Sequence, residues 1–226
     1  GKVWLVGAGP GDPELLTRRA EGLLREADVV AYDELVSDSI LSLAHPRAEL
    51  IPVGRRAKGC KHHEGRIHPL VIERAKAGAS VVRLKGGDPM IFGRGGEEAE
   101  ALAEEDIDFA FVPGVTAALG AASTQGISLT HRDVSPSVTF ATAHPAKDSP
   151  RWAEELVASL PSVGTIVFYM GMGSLGRVCR ALVEHGRNAD TPVRVVSHAT
   201  LATERAVSGT LRTVEDVLAE AELPLP

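Results

Sequence analysis

The sequence is short of the features that mark several classes of protein. Aromatic residues make up 4% of the 226 residues, so a hydrophobic core must be built mainly from valine, leucine, isoleucine and alanine. The two cysteines, Cys60 and Cys179, lie too far apart in the sequence to form a CxxC pair. This pattern argues against a disulfide framework or a zinc site, and it favours a reducing cytoplasm as the compartment.

Long apolar runs and an excess of positive charge are also missing. No run approaches the roughly 20 apolar residues that a membrane helix requires. The N-terminal run KVWLV (2–6) meets a glycine at once, which predicts a buried strand rather than a signal peptide. The formal net charge of −6 argues against a general nucleic-acid binder.

Short runs rich in valine, isoleucine and leucine alternate with helical patterns in the first half of the chain. Such strands, separated by helices, predict a mainly parallel sheet that is covered on both faces. The predicted strands are 2–6, 28–32, 49–53, 79–84 and 108–112. The predicted helices are 14–26, a helix capped by Ser37 that ends near Ala44, 66–77, and 96–106.

The pattern changes after residue 112. A helix of small residues (113–126) is followed by strands over SVTFATAH, GTIVFYM, PVRVVSHA and ERAVSGTL, and by helices near 151–159, near 174–184 and over TVEDVLAEAE. We therefore predict an α/β protein with two α/β domains, 1–113 and 114–226, whose boundary lies within 113–135. A cleft between two such domains is the default place for a ligand.

The loop VGAGPGDP, from Val6 to Pro13, joins the first strand to the first helix. Its glycines allow positive φ angles and a close approach of backbone N–H groups to a ligand. A dinucleotide site is one interpretation, because Asp33 ends the second strand near the position of a ribose-binding acid. However, Asp12 replaces the third glycine of GxGxxG, and Pro10 and Pro13 remove N–H donors that a pyrophosphate would use. A stiff turn facing a flat or uncharged ligand fits better, and a tight turn without a ligand stays open.

The loop RLKGGDPMIFGRGGEE (83–98) contains five glycines after a strand. So many glycines raise the entropy cost of folding, which suggests that the backbone must contact a ligand. Asp88 could accept hydrogen bonds from a ribose or an amino group, or it could form an Asx turn before Pro89. Arg94 could contact a ligand or carry a solvated charge, and the glycine setting favours the contact.

Two further loops follow predicted strands. In VPGVTAALGA (112–121), Thr116 and Ala117 begin a run of small residues that would allow close approach by an adenine or by another stretch of backbone. In FYMGMGSL (168–175), Met170 leaves a strand beside two glycines. Methionine is more often a core residue than a ligand contact, but the carboxyl end of a strand favours the ligand contact.

The segment GRRAKGCKHHEGRIH (54–68) is strongly basic, with five lysines and arginines against one acid, Glu64. A solvated loop is the default interpretation of such a run. In an acidic protein, a cationic loop beside a cleft also suggests a polyanionic substrate. Its histidines show no metal-ligand spacing, so we predict no metal site.

Together these segments resemble the tetrapyrrole methylase family. The match runs nearly end to end and in order, and it rests on VGAGPGDPELLT, AYDELVS, GGDPMIFGRGGEE, PGVTAALGAAS, GISLTHRD, SVTFATAH, FYMG and the final GTL. The segments GGDP–FGRG and LTHRD favour the branch that methylates uroporphyrinogen III. The resemblance implies two α/β domains, with S-adenosyl-L-methionine folded in the cleft between them, and a homodimer. It further implies methyl transfer to ring carbons C2 and C7 without a metal. The products would be S-adenosyl-L-homocysteine and precorrin-2, the latter for cobalamin and sirohaem synthesis.

The resemblance also implies roles for particular residues. Asp33 corresponds to the family's proposed base, and Arg55 stands where the family usually has a lysine assigned as proton donor. Because arginine stays protonated at any working pH, Arg55 is a poor acid and suits carboxylate binding better. The carboxylates of uroporphyrinogen would be bound by cations around the cleft, with Arg18, Arg55, Arg94, His131 and Arg132 as candidates. The implied cofactor contacts are Pro10, Gly86, Gly87, Asp88, Ile91, Thr116, Ala117, Met170 and Ala199.

Three other functions stay open at this point. A related methyltransferase could act on a later precorrin or on a protein target. An NAD-dependent oxidoreductase could use the GAGPG loop, and a tetrapyrrole-binding protein could lack catalysis altogether. The methyl acceptor, the cofactor that binds and the need for Asp33 distinguish these alternatives.

Overall fold

The computed structural model describes residues 1–54, 67–144, 149–221 and 223. The chain divides into two compact units, Gly1–Gly120 and Ala121–Pro226. Strands and helices are mixed in each unit, which confirms the predicted α/β class. Arg55 and most of the basic run lie outside the described residues.

The first unit is built on a parallel sheet, as predicted. Its strands are β1 (Lys2–Gly7), β2 (Val29–Tyr32), β3 (Glu49–Pro52), β4 (Ser80–Lys85) and β5 (Asp108–Val112). In the described part of this unit, these five strands lie in the order β3-β2-β4-β1-β5, and every neighbouring pair is parallel. The strand β4 thus lies in the centre, between β2 and β1, although it follows both in the chain.

Helices cover both faces of this sheet, because successive residues of a strand point to opposite sides. The helices are α1 (Arg18–Glu26), α2 (Asp38–Leu41), α3 (Pro69–Lys76) and α4 (Gly95–Glu104). On one face, α1 and α2 pack in the same core as Val82 and Leu84. On the other face, α3 and α4 pack in the same core as Val81. All three of these strand residues are fully buried, and burial of such a side chain contributes roughly 1.5–3 kcal/mol.

The connections that leave β1 and β4 diverge. The chain passes from β1 to α1 on one face of the sheet, and from β4 to α4 on the other. Because β1 and β4 are neighbours, the loops at their carboxyl ends separate at this point of the sheet. Ligands of open α/β sheets bind at such switch points. The topology therefore predicts a ligand site at the loops 7–13 and 86–94.

The second unit contains two strand pairs among its described residues. The helix α5 (Ala117–Thr124) runs into it from the first unit, and β6 (Val138–Thr142) pairs in parallel with β7 (Thr165–Tyr169). The strands β8 (Pro192–Ser197) and β9 (Arg205–Thr210) are antiparallel. Its core includes Val157, Leu182 and Val214, which belong to α6 (Trp152–Ala158), α7 (Leu175–Glu184) and α8 (Val214–Ala221).

The prediction of one continuous helix over 14–26 is wrong. Residues Pro13–Leu15 form a 3-10 turn, in which the carboxylate of Asp12 accepts a hydrogen bond from the Glu14 amide at 2.9 Å. The helix α1 then starts afresh, with the hydroxyl of Thr17 accepting the Ala20 amide at 3.1 Å. Each of these side chains caps the start of its own element, so the chain forms a 3-10 turn and then a separate helix instead of one continuous helix.

The prediction for Ser37 is half right. It stands at the N-cap position of α2, but its hydroxyl donates to the carbonyl oxygen of Gly11 at 3.0 Å instead of capping the helix. The helix ends at Leu41 rather than near Ala44. The hydroxyl of Ser37 thus holds the loop after β1 and does not extend the helix.

A polar cluster lies at the connection between β8 and β9. Glu204 accepts hydrogen bonds from the Thr200 amide, at 2.6 Å, and from the side-chain amide of Gln125. Arg194 donates to the same Gln125 side chain from its Nε at 3.0 Å. Burial raises the pKa of Glu204, but these hydrogen bonds and the Arg194 charge outweigh burial, so the pKa lies below its usual value.

We expect Glu204 to stabilise the second unit in a pH-dependent way. Its pKa is lower in the folded than in the unfolded chain, so the unfolded chain binds more protons between the two values. The stabilisation is therefore present above the ordinary value of 4.5 and is lost as the pH falls through the lowered value. In thermal melts, Glu204→Gln should unfold below the wild type at about pH 7, and the difference in melting temperature should shrink as the pH falls below 4.5.

The matched control for this experiment is Glu220→Gln, a change at an exposed position of α8. We expect no comparable difference in melting temperature for this variant at neutral or at acid pH. A deficit of Glu204→Gln that stays the same near pH 3 would contradict an ionic origin of the stabilisation.

Candidate active site

Three glycine-containing loops meet at the carboxyl ends of β1, β4 and β5. After β1, the Ala8 amide donates to the carbonyl oxygen of Lys85 at 2.7 Å. Gly9 and Gly87 then exchange two backbone hydrogen bonds, of 3.1 and 2.8 Å. Their φ angles are +72° and +66°, a region that glycine adopts readily and residues with a Cβ rarely adopt. Glycine is therefore required where the first two loops join.

Asp88 ties the loop after β4 to the loop after β5. Its Oδ1 accepts the Met90 amide at 2.8 Å, which is the Asx turn that the sequence left open. Its Oδ2 accepts the Gly114 amide at 3.0 Å. An ionised carboxylate has about four lone-pair sites, so each oxygen can still accept a hydrogen bond from a ligand.

The loop after β5 lies so close to the other two loops that there is no room for a Cβ at Gly7 or at Gly114. A Cβ on Gly7 would lie 2.5 Å from the Gly114 amide nitrogen and 2.6 Å from the carbonyl oxygen of Gly87. A Cβ on Gly114 would overlap the same carbonyl oxygen. Both glycines stand in motifs that were visible in the sequence, but neither was predicted as a site residue.

The helix α5 starts beside this junction of loops. Thr116 is buried, and its Cα lies 3.8 Å from the place where a Cβ of Gly87 would be, with the Ala117 nitrogen at 3.7 Å. The predicted helix 113–126 is therefore wrong at its start, because residues 113–116 form the loop that Asp88 holds. The predicted cofactor contacts in and beside this junction are Pro10, Gly86, Gly87, Asp88, Ile91, Thr116 and Ala117.

The remaining two predicted cofactor contacts lie in the second unit. Met170 directly follows β7, has a φ angle of +57°, and is 59% exposed. This exposure argues against the alternative that Met170 is a core residue. Ala199 follows β8 between His198 and Thr200, whose φ angles are +53° and +68°. Non-glycine residues in this conformation are strained and concentrate at functional sites.

Asp33 follows β2, and its carboxylate lies beside a group of buried charged side chains. Its Oδ1 accepts a hydrogen bond from Nη2 of Arg83 at 2.6 Å, and its Oδ2 lies 3.9 Å from Nζ of Lys85. The Asp33 side chain is 28% exposed, whereas those of Arg83 and Lys85 are 6% and 4% exposed. Arg83 and Lys85 share one face of β4, because they are two residues apart in a strand.

Glu98 of α4 completes this group. Its Oε1 accepts from Nε of Arg83 at 3.1 Å, from Nη2 of Arg83 at 2.9 Å, and from Nζ of Lys85 at 2.8 Å. Its Oε2 is buried and has no hydrogen-bond partner among the described residues. We call Arg83, Lys85 and Glu98 the buried charge cluster; with Asp33 it holds two cations and two carboxylates.

The pKa values of the two cations in the cluster are shifted in opposite directions. Burial, together with the charge of Arg83, lowers the pKa of Lys85 below its usual value despite the nearby carboxylates. Burial also acts to lower the pKa of Arg83, but Asp33 and Glu98 outweigh it and raise the pKa. Arg83 is therefore a fixed positive charge beside Asp33.

Sequence reasoning missed the buried charge cluster. Arg83 lies inside the predicted strand 79–84, and both Arg83 and Lys85 fall in the segment 83–98 that was interpreted as a glycine-rich loop; neither was given a role, although both belong to β4. Their spacing of two was the available signal, because it puts both cations on one face of a strand. A buried pair of cations requires carboxylates nearby, and Glu98 in the next helix could have been considered for this role.

The predicted substrate-binding cations are exposed where the structure describes them. Arg18 stands at the start of α1 and lines a surface pocket with Pro13 and Leu43. Arg94 precedes α4, has a φ angle of +58°, and forms an ion pair with Glu97 at 3.3 Å. Four of the residues predicted to bind substrate carboxylates are described by the structure, and all four are exposed: Arg18, Arg94, His131 and Arg132.

The described residues lack a metal-binding cluster and a membrane-spanning helix. Within the described ranges, no cluster of three or more histidine, cysteine, aspartate or glutamate side chains is arranged to hold a metal ion. In the same part of the chain, no helix has both the length and the apolar character that crossing a membrane requires.

A model of one protein family matches nearly the whole chain. The family is described as Tetrapyrrole (Corrin/Porphyrin) Methylases, and the match covers residues 2–215. The chain belongs to the tetrapyrrole methylases. This confirms the resemblance drawn from the sequence motifs, and the matched range contains every candidate site residue named above.

Solved tetrapyrrole methylases share the fold over almost the full length. Uroporphyrin-III C-methyl transferase from Thermus thermophilus, solved with S-adenyl homocysteine, is 38% identical, with a TM-score of 0.81. The likeness covers 100% of this chain and 94% of the Thermus chain. Cobalt precorrin-4 methyltransferase, a cobalamin biosynthetic enzyme, is 30% identical with a TM-score of 0.84, over 98% of this chain and 90% of the other.

Curated relatives of this tetrapyrrole methylase are longer proteins. Siroheme synthase of Thiobacillus denitrificans is 48% identical over 226 residues, which are 100% of this chain and 47% of the relative. Siroheme synthase of Pseudomonas aeruginosa is 49% identical over 229 residues, and the chain covers 48% of it. The chain thus spans about half the length of the curated relatives that it matches.

Proposed function

We propose that this tetrapyrrole methylase transfers methyl groups from S-adenosyl-L-methionine to C2 and C7 of uroporphyrinogen III and so forms precorrin-2. The observation that carries the proposal is the end-to-end likeness, at 38% identity, to a uroporphyrin-III C-methyl transferase solved with S-adenyl homocysteine. The likeness to cobalt precorrin-4 methyltransferase is lower in identity, at 30%, so a later precorrin is the second candidate acceptor.

The loop junction of the first unit fits S-adenosylmethionine. The absence of a Cβ at Gly7 and Gly114 lets the backbones of the three loops pack against one another, and the Asp88 oxygens keep lone pairs for ribose hydroxyls or an amino group. When bound, S-adenosylmethionine supplies a methyl group on a sulfonium, an electrophile that needs no further activation. The proposed contacts are those implied by the resemblance: Pro10, Gly86, Gly87, Asp88, Ile91, Thr116, Ala117, Met170 and Ala199.

Asp33 is the proposed base. A pyrrole ring carbon that gains a methyl group leaves the tetrapyrrole with a positive charge, and loss of one proton restores neutrality. Asp33 is the most exposed of the four charged groups that meet at the end of β4. A carboxylate within hydrogen-bond reach of the departing proton typically contributes 10²–10⁴-fold to the rate.

Exposed cations are the proposed partners of the substrate carboxylates. Uroporphyrinogen carries many carboxylates, and arginine binds such groups through two parallel hydrogen bonds. The side chains proposed for this role are Arg18, Arg55, Arg94, His131 and Arg132. Of these, Arg55 lies outside the described residues, and carboxylate binding there is proposed from the resemblance alone.

We further propose that the protein works as a cytoplasmic homodimer in sirohaem or cobalamin synthesis. The siroheme synthase relatives support the pathway. Cys179 is a free, buried cysteine, and burial raises the pKa of its thiol, which makes it chemically inert; a free cysteine is compatible with a reducing compartment. The homodimer rests on the family resemblance, and light scattering of the purified chain would test it.

The decisive experiment is an acceptor assay with methyl-labelled S-adenosylmethionine under exclusion of oxygen. We expect transfer of two labelled methyl groups to each uroporphyrinogen III and formation of S-adenosylhomocysteine. Label that appears only with a later precorrin would establish the second candidate. Absence of label together with tight calorimetric binding of NAD would instead favour an oxidoreductase.

A further inference from the structure

Asp33 is the accessible end of a network whose other members are enclosed. Its side chain is 28% exposed, while Arg83, Lys85 and Glu98 are 4% to 8% exposed. A substrate can therefore reach Asp33 but not the buried charge cluster behind it. The cluster can thus influence the reaction by setting the position of Asp33.

The guanidinium of Arg83 is held on all three of its nitrogens. Nε and Nη2 donate to Oε1 of Glu98, and Nη1 donates to the carbonyl oxygen of Leu84 at 3.1 Å. With its position fixed in this way, Nη2 also donates to Oδ1 of Asp33 at 2.6 Å. A planar guanidinium anchored on several sides fixes the direction of each hydrogen bond that it makes.

The two carboxylate oxygens of Asp33 differ in their hydrogen-bond partners. Oδ1 is engaged by Arg83, whereas Oδ2 lies 3.9 Å from Nζ of Lys85, which is too far for a hydrogen bond. Oδ2 is therefore the oxygen left to accept a proton, and its orientation is set by the bond on Oδ1.

We infer that Arg83 is a positioning residue that aims Oδ2 of Asp33 at the proton to be removed, and that Glu98 holds Arg83 for this task. The inference rests on the proposed function, in which Asp33 is the base. The proton passes from the methylated tetrapyrrole to Oδ2 of Asp33, and neither Arg83 nor Glu98 gains or loses a proton in the step.

Removing Arg83 alone would leave Glu98 buried with Lys85 as its remaining partner, and such a variant could fail to fold. The double variant Arg83→Met/Glu98→Gln avoids this problem, because it removes one positive and one negative charge together. We expect it to fold and to bind S-adenosylmethionine with nearly unchanged affinity. Its kcat should fall by about tenfold or more, with little change in KM, because orientation of the base is lost.

A matched control is Arg74→Met/Glu49→Gln. This pair is joined at 2.7 Å on the surface of the same unit, and its removal also takes away one charge of each sign. We expect kcat of this variant to stay at the wild-type level. The control shows whether a fall in kcat follows from the loss of any ion pair or specifically from the loss of the Arg83–Glu98 pair beside Asp33.

The test that distinguishes positioning from a structural role is non-additivity. If Arg83 acts through Asp33, adding Arg83→Met/Glu98→Gln to Asp33→Ala should lower the residual kcat no further. A folded double variant with wild-type kcat, or a further loss on top of Asp33→Ala, would overturn the inference. A wild-type chain that methylates no uroporphyrinogen III would instead reject the proposed function itself.

Discussion

Replacement of Asp33 by Asn should lower kcat for methyl transfer to uroporphyrinogen III by about 10²–10⁴-fold. Asparagine has nearly the same shape and can still accept the hydrogen bond from Arg83, but its amide cannot take up the proton that the methylated ring must lose. The affinity for S-adenosylmethionine should change little, because Asp33 is not among the proposed cofactor contacts. Steady-state kinetics with labelled cofactor, together with calorimetric binding, measure the two effects separately.

The control for this substitution is Asp38→Asn. Asp38 is an exposed aspartate at the start of α2, five residues along the chain, and it belongs to neither the buried charge cluster nor the loop junction. Its replacement should leave kcat at the wild-type level. If Asp33→Asn also keeps wild-type kcat, the proton must leave by another route and Asp33 is not the base.

The second large effect is expected from Gly7→Ala. The new methyl group would lie 2.5 Å from the Gly114 nitrogen and 2.6 Å from the carbonyl oxygen of Gly87. Backbone atoms on both sides have to move, and overpacking of this kind costs about 1–3 kcal/mol or more. Because those atoms belong to the loops proposed to hold S-adenosylmethionine, we expect catalytic efficiency to fall by about 100-fold.

The matched control is Gly22→Ala in α1, where an added Cβ would meet no atom within 4 Å. In a helix, alanine is favoured over glycine by about 0.5–1 kcal/mol, so this variant should be as stable as the wild type or more so, and fully active. Calorimetric titration with S-adenosylhomocysteine checks both variants. Wild-type affinity in a folded Gly7→Ala protein would show that the loop junction is not the cofactor site.

Much of the fold follows from local sequence. The strand predicted over 108–112 is found at the same residues, because a short apolar run between polar and glycine-rich segments leaves few alternatives. Two of the failures have non-local causes. The segment 113–116 is not helical, since the carboxylate of Asp88 holds the Gly114 amide from a distant part of the chain. Ser37 contacts Gly11 for a similar reason.

The candidate site also has a part that the sequence predicted and a part that it did not. The glycine loops were found because their composition is unusual, and their motifs carry the family resemblance. The buried charge cluster was missed because its contacts depend on strand order. Arg83 reaches Asp33 only because β4 lies beside β2, and nothing in the order of segments along the chain says that the fourth strand lies between the second and the first.

The central position of β4 also limits when the sheet can assemble during synthesis. Among the described strands of the first unit, only β2 and β3 are both consecutive in the chain and paired. The first strand is paired at Lys2 with Ser80 and Asp108, so it leaves the ribosome long before either partner exists. Sheets of such high contact order form slowly. The segment that ends in the first glycine loop is thus made before the other strands of this sheet and gains its neighbours last.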